Sequence, residues 1–261
     1  MTTIDKLCYH SRLRYVNADV KFWYTVITLL LCALSRSMTV ACIVLVVNGI
    51  LTVSKGGIPF FRYRHYMTVP LVFLFFSTLA IMFNISRTPL DLFAIPLGDW
   101  YLTSSYHAFW YSLQLIMTAL SCVSCLYFLS FNTPMTDILD TLRRLHCPRI
   151  MIELMLLIYR FIFVLMNVAL EITTAQNSRL GNKDYRTSLH CFSSMVSVLL
   201  VRSLKQANAL YDAMEARCYD GTIRVLSEHY PPRKQHILMI AVFDACLTLL
   251  ILLIKLKGLL L

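Results

Sequence analysis

Leu199-Leu200-Val201-Arg202-Ser203-Leu204-Lys205-Gln206-Ala207 runs on through Tyr211-Asp212-Ala213-Met214-Glu215-Ala216-Arg217-Cys218-Tyr219-Asp220-Gly221. This is helix-forming sequence, rich in small residues, too polar to cross a bilayer, with an arginine at its tip. The rest of the chain is of the opposite kind. Of 261 residues, 58% are apolar and 15% charged, and the mean hydropathy is +0.65, well outside soluble usage. About 20 residues at 1.5 Å rise cross the hydrocarbon core, and several apolar runs approach that length. The class that follows is an all-α, polytopic membrane protein with no separate soluble domain. A polar helix fixed to membrane-spanning sequence can carry a contact or a force between the bilayer and the cytoplasm.

Apolar runs predict about five transmembrane helices, over 20–34, 40–53, 69–85, 109–131 and 237–254. Ser35-Arg36-Ser37 reverses the chain between the first two, and Ser54-Lys55-Gly56-Gly57-Ile58-Pro59 breaks it after the second. Arg87-Thr88-Pro89 opens a longer connection that reaches Trp100 and Tyr101, aromatics suited to the headgroup layer. Residues 1–21 are polar and carry Asp5, Lys6, Arg12, Arg14, Asp19 and Lys21, with no small-residue cleavage site following. They read as a cytoplasmic leader rather than a cleaved signal.

Positive charge sets the expected orientation. The leader, the connection holding Lys55, Arg62 and Arg64, and the segment 132–235 together hold 20 of the 24 Lys and Arg residues. Arg36, Arg87, Lys255 and Lys257 lie opposite. The leader and the segment 132–235 are therefore expected in the cytoplasm, where most of the net charge of +10 would face anionic lipid or an acidic protein surface. The expected domains are 1–131, a four-span membrane domain; 132–235, cytoplasmic coupling helices; and 236–261, a last transmembrane helix. Residues 154–170 are apolar enough for a further span. Crossing there would require 191–201, only eleven residues, to cross back, and Arg160 would sit mid-span. Both stretches are expected to lie at the cytoplasmic interface.

Within 132–235 three helices are predicted. The first, 133–148, has Thr133 or Thr136 as N-cap, Ile138, Leu139, Leu142 and Leu145 at helical spacing, and Pro148 as its stop. The second, 149–180, ends on Gly181 and Asn182. The third, 185–219, is closed by Gly221. Arg179 and Arg217 thus share an address, the C-terminal tip of a long helix just before a glycine. A cation there meets the helix macrodipole, worth about 0.3–1 kcal/mol, which does not explain the same small-residue setting twice. Ser178 and Ala216 leave each guanidinium on a slim helix end, and its planar fork matches carboxylates as lysine does not. Ala207, Ala209, Ala213 and Ala216, with Ser193 and Ser194, would let the two long helices cross closely, although Ala is also simply a good helix former.

Other chemistry is sparse. Most of the nine cysteines, including Cys122 and Cys125 of a CxxC, lie in apolar runs without further ligands, where Cys packs as a small hydrophobe. The seven histidines show no ligand spacing, and no GxxxxGK[ST] or His pair at i, i+4 occurs. His107, near Trp110, reads as an interfacial anchor. Asp244 lies inside the last span, either as a functional intramembrane acid or as the partner of an arginine on an adjacent helix. No catalytic residue, metal ligand or nucleic-acid site is assigned.

Four blocks carry a family resemblance. They are Ile4-Asp5 … Tyr9-x-Ser11-Arg12-Leu13-Arg14 … Lys21; Thr133-Pro134 … Leu142-Arg143-Arg144-Leu145 … Pro148-Arg149; Glu153-Leu154-x-Leu156-Leu157-x-Tyr159-Arg160 … Ala175-Gln176-x-Ser178-Arg179-x-Gly181; and Leu200-x-Arg202-Ser203 … Ala207 … Ala213-Met214-x-Ala216-Arg217-x-Tyr219-x-Gly221. Over nearly the whole chain this resembles the transmembrane T component of energy-coupling factor (ECF) transporters, and within that group the cobalt-type CbiQ family. The resemblance implies a non-catalytic subunit of an ABC importer in the cell (inner) membrane. It would join a substrate-binding S component, cobalt-binding and CbiM/CbiN-like, to two cytoplasmic ABC-type ATPase subunits. ATP would be used by those partners, with no cofactor held here.

In that family the arginine of each Ala-Arg-Gly-like motif docks into a groove on one ATPase subunit, which maps here to Ser178-Arg179-Leu180 and Ala216-Arg217-Cys218. Arg202 and Ser203 belong to the coupling-helix motif. Leu180 and Cys218 stand where glycine is usual, so the helix ends are expected to shift toward Gly181 and Gly221, which would support them. Nickel or vitamin import would use the same architecture. A stand-alone membrane carrier or enzyme is the reading from another class. It calls for polar groups clustered across several spans, and the first four spans carry almost none.

Overall fold

Asn17 opens the first long helix: its Oδ1 accepts from the backbone N–H groups of Asp19 at 2.9 Å and Val20 at 3.3 Å. The polar leader ends there, as helix α1 (Thr3–His10) and a 3-10 turn (Arg12–Tyr15), and α2 (Ala18–Ser35) begins. The computed structural model describes residues 3–82, 84–86, 93–97, 100–104, 106–221, 223, 231 and 233–259. Helices α3 (Met38–Ile50), α4 (Phe60–Met82), α5 (Tyr106–Asn132), α6 (Met135–Arg144), α7 (Arg149–Ser178), α8 (Tyr185–Glu215) and α9 (Lys234–Leu259) complete the order. Among the described residues seven helices are long and apolar enough to cross a membrane. Five, namely α2, α3 with its extension, α4, α5 and α9, match the predicted apolar runs, except that α4 ends at Met82 and residues 84–86, expected at the end of that span and just beyond it, form a strand. The other two are α7 and α8, at 30 and 31 residues. Counting only 191–201 made the second stretch short, but no helix breaker interrupts 185–215, so the helix is continuous.

Residues 2–134 with 229–261 form one compact unit and 135–228 another. In the first, α5 packs against α2, α3 and α4, and α9 packs against α2 and α3. One apolar cluster gathers Val40, Val44, Cys125 and Leu247; a second gathers Leu7, Ile58, Tyr63 and Phe131. Some buried polar groups are paired across helices: Tyr24 Oη donates to Asn48 Oδ1 at 2.8 Å, and Asn48 Nδ2 donates to Cys125 Sγ at 3.1 Å. Cys125 of the CxxC is thus a core residue, fully buried, and its thiol is free. Among the described residues no three His, Cys, Asp or Glu side chains gather as metal ligands. Asp244, 8% exposed, has an Oδ1 with no hydrogen-bond partner. Among the described residues no arginine pairs with it, against the pairing weighed from sequence.

A knot ties the leader to the end of α5. Lys21, 3% exposed, donates through Nζ to the carbonyls of Asn132 at 2.7 Å and Leu13 at 3.1 Å. Ser11 Oγ donates to Asn132 Oδ1 at 2.6 Å. A buried ammonium is tolerable only when so satisfied, and here it meets the Asn132 carbonyl at the C-terminal end of α5 and the Leu13 carbonyl of the 3-10 turn. α3 runs into a π-helical turn, Leu51–Lys55, that ends at Gly56, whose carbonyl accepts from Arg12 N at 3.2 Å. A Cβ on Gly56 would lie 2.4 Å from Thr52 O and 2.7 Å from Asn132 Oδ1, so only glycine fits this approach.

The connection read from sequence as a headgroup-layer segment contains a small antiparallel sheet. Its strands are β1 (Asn84–Ser86), β2 (Phe93–Leu97) and β3 (Trp100–Ser104), in the order β1-β3-β2. Ile85 pairs with Leu102 and Leu97 with Trp100. The Arg87-Thr88-Pro89 turn and the His107 side chain lie outside the described residues.

Candidate functional site: two arginine-tipped helix ends

The second unit is built on α6, α7 and α8. α7 and α8 run antiparallel: Gln176 Nε2 donates to Cys191 O at 2.9 Å and Thr173 Oγ1 meets Met195 Sδ at 3.4 Å, so partners advance in opposite directions. The contact is made close to the turn, where a Cβ on Gly181 would fall 2.9 Å from both Cys191 Sγ and Gln176 O. The alanines expected to line a close crossing (Ala207, Ala209, Ala213, Ala216) are exposed, as are Ser193 and Ser194. None of the residues of α8 is buried.

Both long helices end in the same backbone motif. At α7, Gly181 N donates to Gln176 O at 2.8 Å and Leu180 N to Asn177 O at 3.1 Å. At α8, Tyr219 N donates to Met214 O at 3.1 Å and Cys218 N to Glu215 O at 3.0 Å. These are the paired bonds that close a helix through a left-handed residue, and that residue is Leu180 (φ 59) in one and Cys218 (φ 57) in the other. The expected shift toward glycine does not occur. Gly181 lies one residue past the left-handed position, where it is needed for its approach to Cys191. Gly221 (φ 82) lies three residues past Cys218 in open space. The hydrogen bonds decide the turn because they satisfy two carbonyls at once, which outweighs roughly 1–2 kcal/mol of left-handed strain.

This register puts Arg179 and Arg217 at equivalent positions, the last residue before the left-handed turn. Both are exposed, and neither guanidinium makes a hydrogen bond or ion pair with a described residue. Ser178 and Ala216, immediately before them, are exposed too, so each tip is slim. α6 ends in the same motif through His146 (φ 61), with Cys147 N donating to Leu142 O at 3.2 Å, but carries Leu145 at the position of the arginines. The motif is therefore general to this unit; the cation is particular to two of its ends. Arg179 precedes α8 and Arg217 follows it, so the tips are separated by a 31-residue helix, roughly 46 Å at 1.5 Å per residue. Arg202 and Ser203 sit away from both tips, just past the middle of α8, with Arg202 exposed and Ser203 Oγ donating to Leu200 O at 2.8 Å.

One contact at the second tip was not assigned from sequence. Tyr219 Oη donates to Glu153 Oε2 at 2.6 Å, and Ile223 N donates to Glu153 Oε1 at 3.2 Å. The carboxylate holds the Tyr219 phenol above its ordinary pKa, because the bond it accepts is lost on ionisation. Glu153 is 9% exposed. A usable signal existed: a 30-residue helix followed by an antiparallel 31-residue helix returns residue 219 to the N-terminal end of α7, where Glu153, in the second turn, is the carboxylate between Ile152 and Leu154. A cavity of about 610 Å³ opens beside it, lined by Arg143, His146, Arg149, Ile152, Glu153 and Ile223 among others.

Comparison with known proteins follows the same outline. The family described as CbiQ, cobalt transport protein, matches residues 10–228. An uncharacterized protein of Methanocaldococcus jannaschii is 30% identical over 252 residues, 97% of this chain and 93% of its own length. The cobalt transport protein CbiQ of Salmonella typhimurium is 28% identical over 229 residues, 85% of this chain and 98% of its own. A putative fused cobalt transport protein CbiMQ of Methanocorpusculum labreanum is 32% identical over 172 residues, covering 64% of this chain and 28% of that longer protein.

Proposed function

Because the chain belongs to the CbiQ cobalt transport protein family and is a multi-pass membrane component of cobalt transport, we propose that its part in that process is mechanical. It acts as the T subunit of an ECF-type importer. Arg179 and Arg217 each engage an acidic groove on one of two cytoplasmic ABC-type ATPase subunits, and α7 and α8 pass the motion of those subunits to a membrane S component. The observation that carries this reading is the duplication at the tips. Two helix ends of identical backbone form present an unpaired, exposed guanidinium at the same position, roughly 46 Å apart. A single ligand or active site has no use for that spacing, whereas two copies of one partner do.

The remaining parts fit this role. A fused CbiMQ relative supports a CbiM-like S component as the membrane partner; a CbiN-like subunit beside it is part of the proposal. Cobalt is the cargo and is held by that partner; this chain binds no cofactor and catalyses no reaction, and ATP is turned over by the ATPases. Ile158 and Ile162 on α7, with Val196 and Leu200 on α8, are exposed and supply apolar surface for lipid or the S component. Lysine and arginine placement supports a cytoplasmic leader and cytoplasmic helix tips.

The membrane path of α7 and α8 is the sharpest discriminator. If both crossed the bilayer, Arg179 and Arg217 would lie on opposite faces, and only one could reach a cytoplasmic ATPase. Charge reversal at both tips, Arg179→Glu with Arg217→Glu, is expected to leave the protein in the membrane but abolish co-purification of the ATPases. An impermeant thiol reagent should reach Cys218 and an introduced Ser178→Cys only from the cytoplasmic face. Retained ATPase binding, or labelling of the two positions from opposite faces, would refute the docking role.

A further inference from the structure

Two adjoining cavities in the membrane unit, neither of them part of the helix-tip site, have the chemistry of a phospholipid divided between head and tail. The first, about 240 Å³, is an apolar slot walled by Val20, Tyr24, Val47, Phe128, Ile240 and Phe243, from α2, α3, α5 and α9. That volume is below the ~300 Å³ at which compact small-molecule pockets begin, and its surface is mainly apolar, although Lys21, Lys55 and His236 also line it. The second, about 230 Å³, is polar and lined by Arg12, Asn17, Arg233 and His236 among others. Val16, Val20 and His236 line both, so the polar chamber opens directly into the apolar slot.

Charge identifies the head. Arg12 and Arg233 are exposed and make no side-chain hydrogen bond or ion pair with a described residue. Lys55 stands at the same mouth, and no Asp or Glu lines either cavity among the described residues. The opening lies at the N-terminal ends of α2 and α9 and the C-terminal ends of α3 and α5, the end of the unit that carries the leader. Basic chambers between membrane helices on that side suit anionic phospholipid headgroups, and an acyl chain needs a narrow apolar slot.

We infer that this pair of cavities is a binding site for one anionic phospholipid, its phosphate between Arg12 and Arg233 and one acyl chain in the slot between α2 and α9. The occupant is a lipid rather than free phosphate, because an inorganic anion would leave the slot unused. It wedges α9 against α2, fixing the last helix in the unit.

The test uses the full-length protein purified in detergent and stripped of lipid. Phosphatidylglycerol, phosphatidylcholine and inorganic phosphate are titrated separately, with bound lipid counted by native mass spectrometry. Phosphatidylglycerol should bind one to one, with phosphatidylcholine at least tenfold weaker. Arg12→Gln with Arg233→Gln should weaken phosphatidylglycerol by roughly tenfold per arginine. Both arginines are exposed, so folding is undisturbed. Ile240→Phe, which fills the slot, should lose the long-chain lipid while a short-chain phosphatidylglycerol still binds. Equal binding of the two lipids, an unaffected arginine double variant, or competition by inorganic phosphate as strong as by phosphatidylglycerol would each overturn the assignment.

Discussion

Replacing Leu180 or Cys218 by glycine should tighten the two helix tips. Both residues hold φ near +60°, where an L-residue costs roughly 1–2 kcal/mol, and glycine gives back roughly 0.5–1 kcal/mol of that through its freer unfolded chain. Leu180 is 72% exposed and Cys218 is exposed, so little burial is lost and the backbone term decides the sign. The net gain is about 1 kcal/mol, or about fivefold in the local opening equilibrium when 1.4 kcal/mol is tenfold. Amide exchange reads it directly, since Gly181 N–H and Tyr219 N–H make the closing bonds to Gln176 O and Met214 O. Exchange at Gly181 should slow about fivefold in Leu180→Gly. It should quicken in Leu180→Val, because a β-branched residue is a true outlier in this region. Gly variants that exchange no more slowly, or a Val variant like the parent, would refute the idea that these turns are held against strain by their hydrogen bonds.

Lys21→Met removes two charge-assisted bonds, a buried one to Asn132 O and a part-buried one to Leu13 O. At about 1.5–3 kcal/mol each, this should lower the thermal midpoint in detergent by roughly 6–15 °C; a midpoint within error of the parent would discard the knot as a stabilising feature. The raised pKa of Tyr219 makes the Glu153 contact pH-dependent. A group whose folded pKa is raised contributes fully below its unfolded value, about 10 for a phenol, and the contribution is lost as pH rises through the raised value. Comparing phenolate absorbance titrations of the parent and Tyr219→Phe should therefore isolate one late-titrating phenol, and identical late phases would remove the contact.

The helices were readable because their boundaries are chemical. Pro148 separates two helices by a local rule, and α7 was predicted over 149–180 against an observed Arg149–Ser178. The arginines could be placed at helix tips for the same reason. What was missed depends on partners distant in sequence. The β1-β3-β2 sheet is a choice of register between segments, and nothing local distinguishes it from a connection. Lys21 finds Asn132 across 111 positions, and Tyr219 finds Glu153 across 66. Leu180 and Cys218 failed differently: residue preference pointed to glycine, but the geometry was set by which carbonyls needed donors.

On the proposed docking role, the distance between the two cationic ends would make α8 a lever. If one end is held while the other slides by a single helical turn of 5.4 Å, a rod of roughly 46 Å swings by about 7°. The displacement falls to nothing toward the fixed end, so Arg202, nearer Arg217 than Arg179, would move most when the Arg217 end is driven. A machine with such a crossbar converts sideways travel at its feet into rotation, and shortening the bar by whole turns would change its gearing without touching either foot.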